Sequence, residues 1–344
     1  MENATILSEG VFGTTYGKTA NGLVRYSKRY KILSVIDSRL AGQDAGSVLM
    51  HRYAGIPIIS SVEEGLRGGA ETLIVGIASD GGVLPDSYRP YIKTAINHGM
   101  NIVSGLHDFI SDDPEFSKLA KRTGSKITDV RKMFKDRKYF FTGNIEKVKA
   151  KKIAVLGTDS AIGKRTTAIY LNRAMKAIGK KSVMIGTGQT SWMQGFKYTV
   201  VIDAIVNDFV AGALESITYE AWDVERPDYM FIEGQGSVLH PAYPGSFEII
   251  GATRPDAIIL QHAPMRKYFD GFPGYEIPPL EKFINILELL SNKRVIAIAL
   301  NTENMDESMI KEEKSKLQAK FGIPVFDPLQ RLSSVTREID SYKI

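Results

Sequence analysis

Residues 151–179 read KKIAVLGTDSAIGKRTTAIYLNRAMKAIG, and this stretch decides the fold of the second half of the chain. Its apolar start is typical of a buried strand, a glycine-rich loop follows, and apolar residues then recur at helical spacing until Gly179. A strand, a glycine loop and a helix in this order indicate a P-loop. The loop is a variant, because five residues rather than four separate Gly157 from Gly163, and Arg165 stands where a serine or threonine usually follows the lysine.

This loop predicts a phosphate site. Gly157 and Gly163 let successive backbone N–H groups converge on phosphate oxygens, and Lys164 reaches a terminal phosphate. A threonine hydroxyl is available to a phosphate or to Mg2+. The predicted ligand-binding residues of the loop are Gly157, Thr158, Asp159, Gly163, Lys164, Arg165, Thr166 and Thr167.

The loop and two later segments resemble dethiobiotin synthetase and its relatives. GTDSAIGK is similar to their G-T-D loop, and the strand ending in EGQG (233–236) is similar to their E-G-x-G-G loop. The resemblance implies that Glu233 is a metal ligand or general base, and that Asn301, after a later strand, contacts adenine. If a magnesium nucleotide is bound, it implies Thr166 and Glu233 as metal ligands. A turn-capping carboxylate at Glu233 and a simple turn residue at Asn301 are the alternatives.

The first half alternates strand and helix patterns. Apolar runs at residues 30–37, 71–78 and 100–107 predict strands, and SVEEGLRGGA (61–70) begins with a capping box that predicts a helix between them. Such alternation favours a parallel α/β sheet with right-handed connections. We therefore predict a Rossmann-like domain over residues 1–145 and a P-loop NTPase-fold domain over residues 146–344, both with mainly parallel sheets flanked by helices.

A second glycine-rich turn, GTTYGKT (13–19), follows the first predicted strand. This is where doubly wound domains receive a pyrophosphate, yet the turn matches neither a P-loop nor G-x-G-x-x-G, so a tight turn without a ligand is equally open. The order of segments around it resembles the CoA-binding domain of succinyl-CoA synthetase α chains, which raises CoA as a ligand. Asp37 could accept ribose hydroxyls or cap the next turn.

Composition excludes several classes of function. The 344 residues contain no cysteine, which rules out disulfides and thiolate sites, and the five histidines have no metal-ligand spacing, so any metal is expected to be Mg2+ held by oxygen atoms. The net charge of +5 is concentrated in residues 130–152, which a solvated linker explains better than nucleic-acid binding. No apolar run is long enough to span a membrane, and the start does not resemble a signal peptide, so we predict a cytoplasmic protein.

Seven segments together closely resemble one family along the whole chain. Its characterised members are D-glutamate N-acetyltransferases of the DgcN type, and the segments are KTANGLVRYS, IDSRLAGQDAG, SGLHDFISDDPE, GTDSAIGKRTT, TGQTSWMQG, DAIVNDFVAGALE and EGQGSVLHPAYPG. The resemblance implies transfer of an acetyl group from acetyl-CoA to the amine of D-glutamate or a similar amino acid. The phosphates of CoA could then bind at the variant P-loop.

Acetyl transfer needs a base for the amine and a donor that polarises the thioester carbonyl. Our candidates for the base are Glu233 and then His240, although His240 could equally be a packed histidine. Arg266 is the candidate for the carboxylates of the substrate, and a solvated surface arginine is the alternative. Arg266 lies in a segment rich in proline, glycine and aromatic residues (260–280), which predicts a mobile loop over the site.

Two other functions stay open at this point. One is an ATP- and Mg2+-dependent ligase or kinase-like enzyme related to dethiobiotin synthetase, and the other is a nucleotide-binding regulatory protein without turnover. The expected partners are an acidic amino acid and a second copy of the chain, with neither membrane nor nucleic acid.

Overall fold

The computed structural model describes residues 1–330 and 332–342, which form two compact units. The first unit comprises Met1–Asp136 and Gln189–Lys197, and the second comprises Arg137–Gly188 with the chain from Tyr198 onward. The strands of the described residues are β1 Glu2–Leu7, β2 Tyr30–Ile36, β3 Ile58–Ile59, β4 Thr72–Val75, β5 Asn101–Ser104, β6 Ile127–Asp129, β7 Lys151–Gly157, β8 Ser182–Ile185, β9 Tyr229–Glu233, β10 Ala257–His262, β11 Val295–Leu300 and β12 Val325–Phe326.

The α-helices follow the same alternation along the described chain. They are α1 Lys18–Arg25, α2 Ala45–Met50, α3 Val62–Arg67, α4 Arg89–Asn97, α5 Pro114–Thr123, α6 Lys132–Lys135, α7 Lys164–Ala177, α8 Gln189–Met193, α9 Asn207–Glu225, α10 Ser246–Thr253, α11 Leu280–Ser291, α12 Glu307–Phe321 and α13 Ser333–Ser341. Among the described residues, no helix combines the length and the apolar character that crossing a membrane requires.

The first unit is built on a parallel sheet with the strand order β3-β2-β1-β4-β5-β6. This is the doubly wound order, in which the direction of winding reverses between β1 and β4. Large side chains such as Leu73, Ile92 and Phe116 are fully buried between sheet and helices. The predicted Rossmann-like architecture is confirmed.

Local signals explain the helix ends in this unit. Ser61 precedes α3 and its hydroxyl accepts the N–H of Glu64, which is the capping interaction that the sequence predicts. Asp113 caps α5 in the same manner, accepting the N–H groups of Glu115 and Phe116. Gly99, with φ of +77°, follows α4 in the left-handed conformation that glycine commonly adopts after a helix.

The first unit also contains a segment from far along the sequence, Gln189–Lys197, which includes α8. The side-chain amide of Gln194 donates to the carbonyl of Gly22 at 2.8 Å, and the backbone carbonyl of Gln194 accepts the N–H of Lys28 at 2.8 Å. The guanidinium of Arg29 lies 3.9 Å from the ring centre of Trp192. The first unit is therefore not one continuous stretch of chain. The boundary between residues 145 and 146 stays a proposal.

The second unit has its own parallel sheet, ordered β12-β11-β10-β7-β9-β8. The strand that leads into the P-loop, β7, lies between β10 and β9, and Leu156 near its carboxyl end is fully buried. Because strands buried on both faces need continuous apolar sequence, the runs predicted as strands around residues 151 and 295 fold as β7 and β11. The predicted P-loop NTPase fold is confirmed.

The basic stretch 130–152 differs from the solvated linker that we predicted. Its lysines at 132, 135, 138, 147 and 149 are exposed, as are Met133, Phe140 and Phe141, but Phe134, Ile145 and Val148 are buried. The buried carboxylate of Glu215 in α9 accepts the N–H groups of Thr142 at 2.6 Å and Ile145 at 3.1 Å. The prediction is wrong around the buried residues of this stretch, because a charge count does not register the few apolar residues that lie among the lysines.

Candidate functional site

The P-loop lies at the carboxyl edge of the second sheet, between the last residue of β7 and the first residue of α7. The neighbouring strands end there in polar side chains, Glu233 on β9 and Gln261 and His262 on β10. In parallel α/β sheets this edge is where ligands bind. Gly163 has a φ of +102°, a left-handed conformation that lets the chain turn into the helix.

Two glycines make room for the lysine of the loop. A Cβ atom on Gly157 would lie 2.9 Å from Cδ of Lys164, and one on Gly234 would lie 2.9 Å from the same atom. The Lys164 side chain therefore lies between the backbones of Gly157 and Gly234, where any larger residue would contact it. Lys164 is 6% exposed, and its ammonium group donates to the carbonyl of Asp159 at 2.5 Å. Its charge lies inside the loop, where a phosphate would be received.

The carboxylate of Asp159 organises the loop. It is fully buried and accepts the N–H of Ser160 at 2.7 Å, the guanidinium of Arg266 at 3.0 Å and the N–H of Asp270 at 3.2 Å. Arg266 also donates to the carbonyl oxygens of Ser160 at 3.0 Å and Ala161 at 3.4 Å. Arg266 and Asp270 thus tie the 260–280 segment to the P-loop.

His240 lies on the other side of Asp159. Its Nδ1 accepts the backbone N–H groups of Ala242 and Tyr243, each at 3.1 Å, so the proton of the neutral ring is on Nε2. Nε2 is buried, 3.5 Å from Oδ1 of Asp159, and has no hydrogen-bond partner among the described residues. Burial lowers the pKa of His240 below its ordinary value, and the charge of Asp159 opposes that shift. The ring packs among aromatic side chains, including Phe269.

Glu233 is buried and its two carboxylate oxygens have different partners. Oε1 accepts the guanidinium of Arg165 at 3.3 Å, and Oε2 accepts the N–H of Thr187 at 2.9 Å. Arg165 is thus the partner of the acidic residue beside the loop. The hydroxyl of Thr187 donates to the Glu233 carbonyl at 2.9 Å, which holds the two segments together.

This donor set does not fit Mg2+. Magnesium requires oxygen ligands in near-octahedral geometry, whereas the Arg165 guanidinium already occupies one oxygen of Glu233 and would repel a second cation beside it. Across residues 1–330 and 332–342, no group of three or more histidine, aspartate and glutamate side chains could hold a metal ion. The magnesium ligands at Thr166 and Glu233, which require a bound magnesium nucleotide, stay a prediction.

Two more polar side chains, on β10 and directly after β11, form hydrogen bonds with the loop and the start of α7. The hydroxyl of Thr167 donates to Oε1 of Gln261, and the amide of Asn301 donates to the carbonyl of Ile162 at 3.1 Å. The hydroxyl of Thr158 lies 3.2 Å from Nδ1 of His262. Burial lowers the pKa of His262 from its ordinary 6.5 to about 4, so this ring is neutral near pH 7.

The structure brings the predicted site residues of the second unit together around one loop. Arg266, expected to face a substrate carboxylate, contacts the loop backbone, and the Asn301 side chain, expected at adenine, bonds to Ile162 and accepts the N–H of Glu303 at 2.9 Å. Sequence reasoning missed the contributions of Asp270, Thr187 and Gln261. Only Gln261 left a signal, as a polar residue at the end of an apolar strand.

In the first unit the predicted ligand-binding positions have internal partners. Asp37 is fully buried and accepts the N–H groups of Phe12 at 3.0 Å and Arg39 at 3.2 Å, together with the Arg39 guanidinium. These are the bonds of a turn cap. In the 13–19 turn, the side chain of Asn21 accepts the N–H of Gly13 and donates to the carbonyl of Thr14. Whether this turn binds a ligand stays a prediction.

Comparison with known proteins agrees with the two-unit organisation. Residues 38–133 match the family model for the DUF1611_N Rossmann-like domain, and residues 139–336 match that for the DUF1611_C P-loop domain, each described as a domain of unknown function. The crystal structure of a DUF1611 family protein from Anabaena variabilis is similar, with a TM-score of 0.91 and 32% identity, covering 99% of this chain and 100% of that one.

Two curated proteins, both named D-glutamate N-acetyltransferase, are also similar. The one from Tritonibacter scottomollicae is 32% identical over 277 residues, covering 78% of this chain and 80% of that protein. The one from a Pseudoalteromonas species is 34% identical over 276 residues, covering 78% and 81%.

Proposed function

The chain belongs to the DUF1611 family, and from this premise we propose that it transfers the acetyl group of acetyl-CoA to the amine of D-glutamate or a similar acidic amino acid. At the coarser level the protein is an enzyme, an N-acetyltransferase. One observation carries the proposal: two relatives that share about a third of their residues with this chain, over most of both lengths, are named for that reaction.

The proposed reaction forms one bond and breaks one. The amine nitrogen attacks the thioester carbonyl carbon, the C–N bond forms, and the C–S bond breaks to release the thiolate of CoA. The amine loses a proton and the thiolate takes one up, so no oxidant, metal or nucleotide is consumed. The protein must hold the two reactants in line and donate hydrogen bonds to the carbonyl oxygen as it gains charge.

We place the phosphates of CoA at the P-loop. The buried Lys164, the helix α7 that begins at this residue and the left-handed turn at Gly163 supply the charge and the N–H groups that an anion needs. The long pantetheine arm of CoA separates the diphosphate from the thioester. The acetyl group would therefore lie away from the loop.

This placement changes the proposed roles of the three candidate catalytic residues. His240 has Nδ1 engaged by two N–H groups and its Nε2 proton facing Asp159, so neither nitrogen is available as a base. Arg266 holds the loop backbone, and Glu233 pairs with Arg165 beside the phosphate position. We propose that all three are positioning residues for the phosphate site. The general base for the amine would then lie near the thioester carbonyl, away from the P-loop.

An ATP-dependent reaction is the second candidate, since the P-loop itself favours it. A nucleotide with its Mg2+ needs a hydroxyl after the loop lysine and an acidic residue open to the metal's shell. Arg165 takes the position of the first, which leaves Thr166 one residue further along, and engages the second. This is the structural reason for ranking acyl transfer above ATP chemistry.

The absence of cysteine from the sequence makes one assay especially clean. Thiol release from acetyl-CoA can be followed with a chromogenic disulfide, because the protein contributes no thiol of its own. Purified protein should release CoA in the presence of D-glutamate and more slowly with L-glutamate, D-aspartate or D-alanine. Equal slow release with every amino acid and with none would contradict the proposal.

A further inference from the structure

Arg165 occupies a position at which P-loops usually place a hydroxyl for a metal ion. It is the residue directly after Lys164, in the first turn of α7, and its side chain is 20% exposed. Its Nη1 lies 3.3 Å from Oε1 of Glu233, the last residue of strand β9, which is 3% exposed. A fixed guanidinium thus lies against the carboxylate that a metal would need.

The guanidinium has donors to spare. Arginine carries five N–H groups, and the bond from Arg165 to Glu233 uses one of them. The planar fork of the side chain matches phosphate oxygens, and a charge-assisted bond to phosphate is stronger than a neutral one. Arg165 can therefore contact Glu233 and a phosphate at the same time. In other P-loops a metal ion lies between the acidic residue and the phosphate in this way.

Within the loop and its ion pairs, one positive charge is left for an anion. Lys164 and Arg165 supply two positive charges and Glu233 offsets one, while the buried carboxylate of Asp159 pairs with Arg266. The fixed N–H groups of the loop also favour negative charge. A magnesium-bound triphosphate would bring its cation toward Arg165, and like charges at short range repel. A diphosphate diester such as that of CoA brings no such requirement, because it is not held in a tight magnesium chelate.

We propose that Arg165 replaces the divalent cation of this P-loop, so that the loop binds the phosphates of CoA in metal-free form and disfavours magnesium nucleotides. This deepens the proposed acyltransferase function and rests on it for the identity of the ligand. Arg165 is a specificity-determining residue in this account, and Glu233 orients it.

Isothermal titration calorimetry on the full chain tests the proposal without any acceptor amino acid. CoA and ATP are titrated into protein in buffer with EDTA and in buffer with excess Mg2+. For CoA we expect dissociation constants that agree within about twofold between the two buffers, and for ATP weaker binding with Mg2+ than with EDTA. Arg165→Thr should weaken CoA binding in EDTA by about tenfold, the value of one charge-assisted bond.

Two further variants protect the test from misfolding. Arg165→Thr leaves the buried Glu233 without its cation, which can destabilise the chain, so Arg165→Thr/Glu233→Gln removes both charges together. It should lose CoA affinity like the single variant while retaining the wild-type circular dichroism. Arg165→Lys keeps the charge without the fork and should fall between wild type and Arg165→Thr.

Three results would overturn the proposal. They are a tenfold or greater gain in wild-type affinity for either ligand on adding Mg2+, wild-type affinity for CoA in a folded Arg165→Thr/Glu233→Gln variant, and no CoA binding by the wild-type protein. Failure of the acyltransferase function looks different, since it would leave metal-free CoA binding intact with no acetylated product.

Discussion

Removing Arg266 should destabilise the second unit by a measurable amount, because its guanidinium is the cation nearest to a fully buried carboxylate. Arg266 donates to Oδ2 of Asp159 and to the carbonyl oxygens of Ser160 and Ala161. In Arg266→Ala, the carboxylate of Asp159 stays buried. It still accepts the N–H groups of Ser160 and Asp270, but no guanidinium lies next to it.

The size of the effect follows from burial. Breaking a buried ion pair by removing one partner costs about 3–5 kcal/mol. The Arg266 side chain is 15% exposed, so water can reach the vacated position, and we take the lower end, about 3 kcal/mol. For a domain of about 200 residues, each kcal/mol lowers Tm by about 2–4 °C, which gives a fall of about 6–12 °C.

Differential scanning calorimetry measures this, with Lys267→Ala as the matched control. Lys267 is the next residue and pairs with Glu276, but both side chains are about two-thirds exposed, so its loss should leave the unfolding free energy essentially unchanged. If Arg266 instead faces the substrate carboxylate, Arg266→Ala would raise KM for the amino acid and leave Tm within 1 °C or so of wild type. That result would refute the positioning role.

The other predictions are these. Lys164→Ala should weaken CoA binding at least about tenfold in calorimetric titration while circular dichroism stays native, and unchanged affinity would remove Lys164 from the site. Gly236→Ala should lower stability in urea unfolding by about 2 kcal/mol or more, because the new Cβ would lie 1.6 Å from the Tyr243 carbonyl oxygen at a φ of +50°; Gly251→Ala, in α10 with open space around it, should instead raise stability by about 0.5–1 kcal/mol. The lowered pKa of His262 means that the unfolded chain binds a proton that the folded chain does not between pH 6.5 and about 4, so the unfolding free energy falls as pH falls through that window, by at most about 1.4 kcal/mol per pH unit for this group. His262→Asn should flatten the pH dependence of urea unfolding there, and an unchanged slope would contradict the shift.

Much of the fold was predictable because its signals are local. The strand, loop and helix at residues 151–179 are visible in one stretch of sequence, and the cap at Ser61 needs only the three residues after it. The position of Gln189–Lys197 was not predictable. Its contacts with Gly22 and Lys28 join residues far apart in sequence, and no periodicity encodes such a pairing.

The candidate site shows the same division. The loop glycines and Lys164 were identified from spacing, since an anion cradle needs those residue types in that order. The roles of Arg165 and Arg266 depend on partners at Glu233 and Asp159, which are distant in sequence and adjacent only in the fold. Sequence alone left Arg266 equally compatible with substrate binding and with solvent, and the structure shows its guanidinium bonded to the P-loop.

Product analysis in the absence of nucleotide tests the central claim most directly. Purified protein is incubated with acetyl-CoA and D-glutamate, with and without Mg-ATP, and mass spectrometry measures N-acetylglutamate, CoA and ADP. We predict N-acetylglutamate and CoA in equal amounts without ATP, and no ADP when ATP is present. ADP that forms only with D-glutamate, with no acetylated product, would contradict acyl transfer and place the protein among ATP-dependent enzymes.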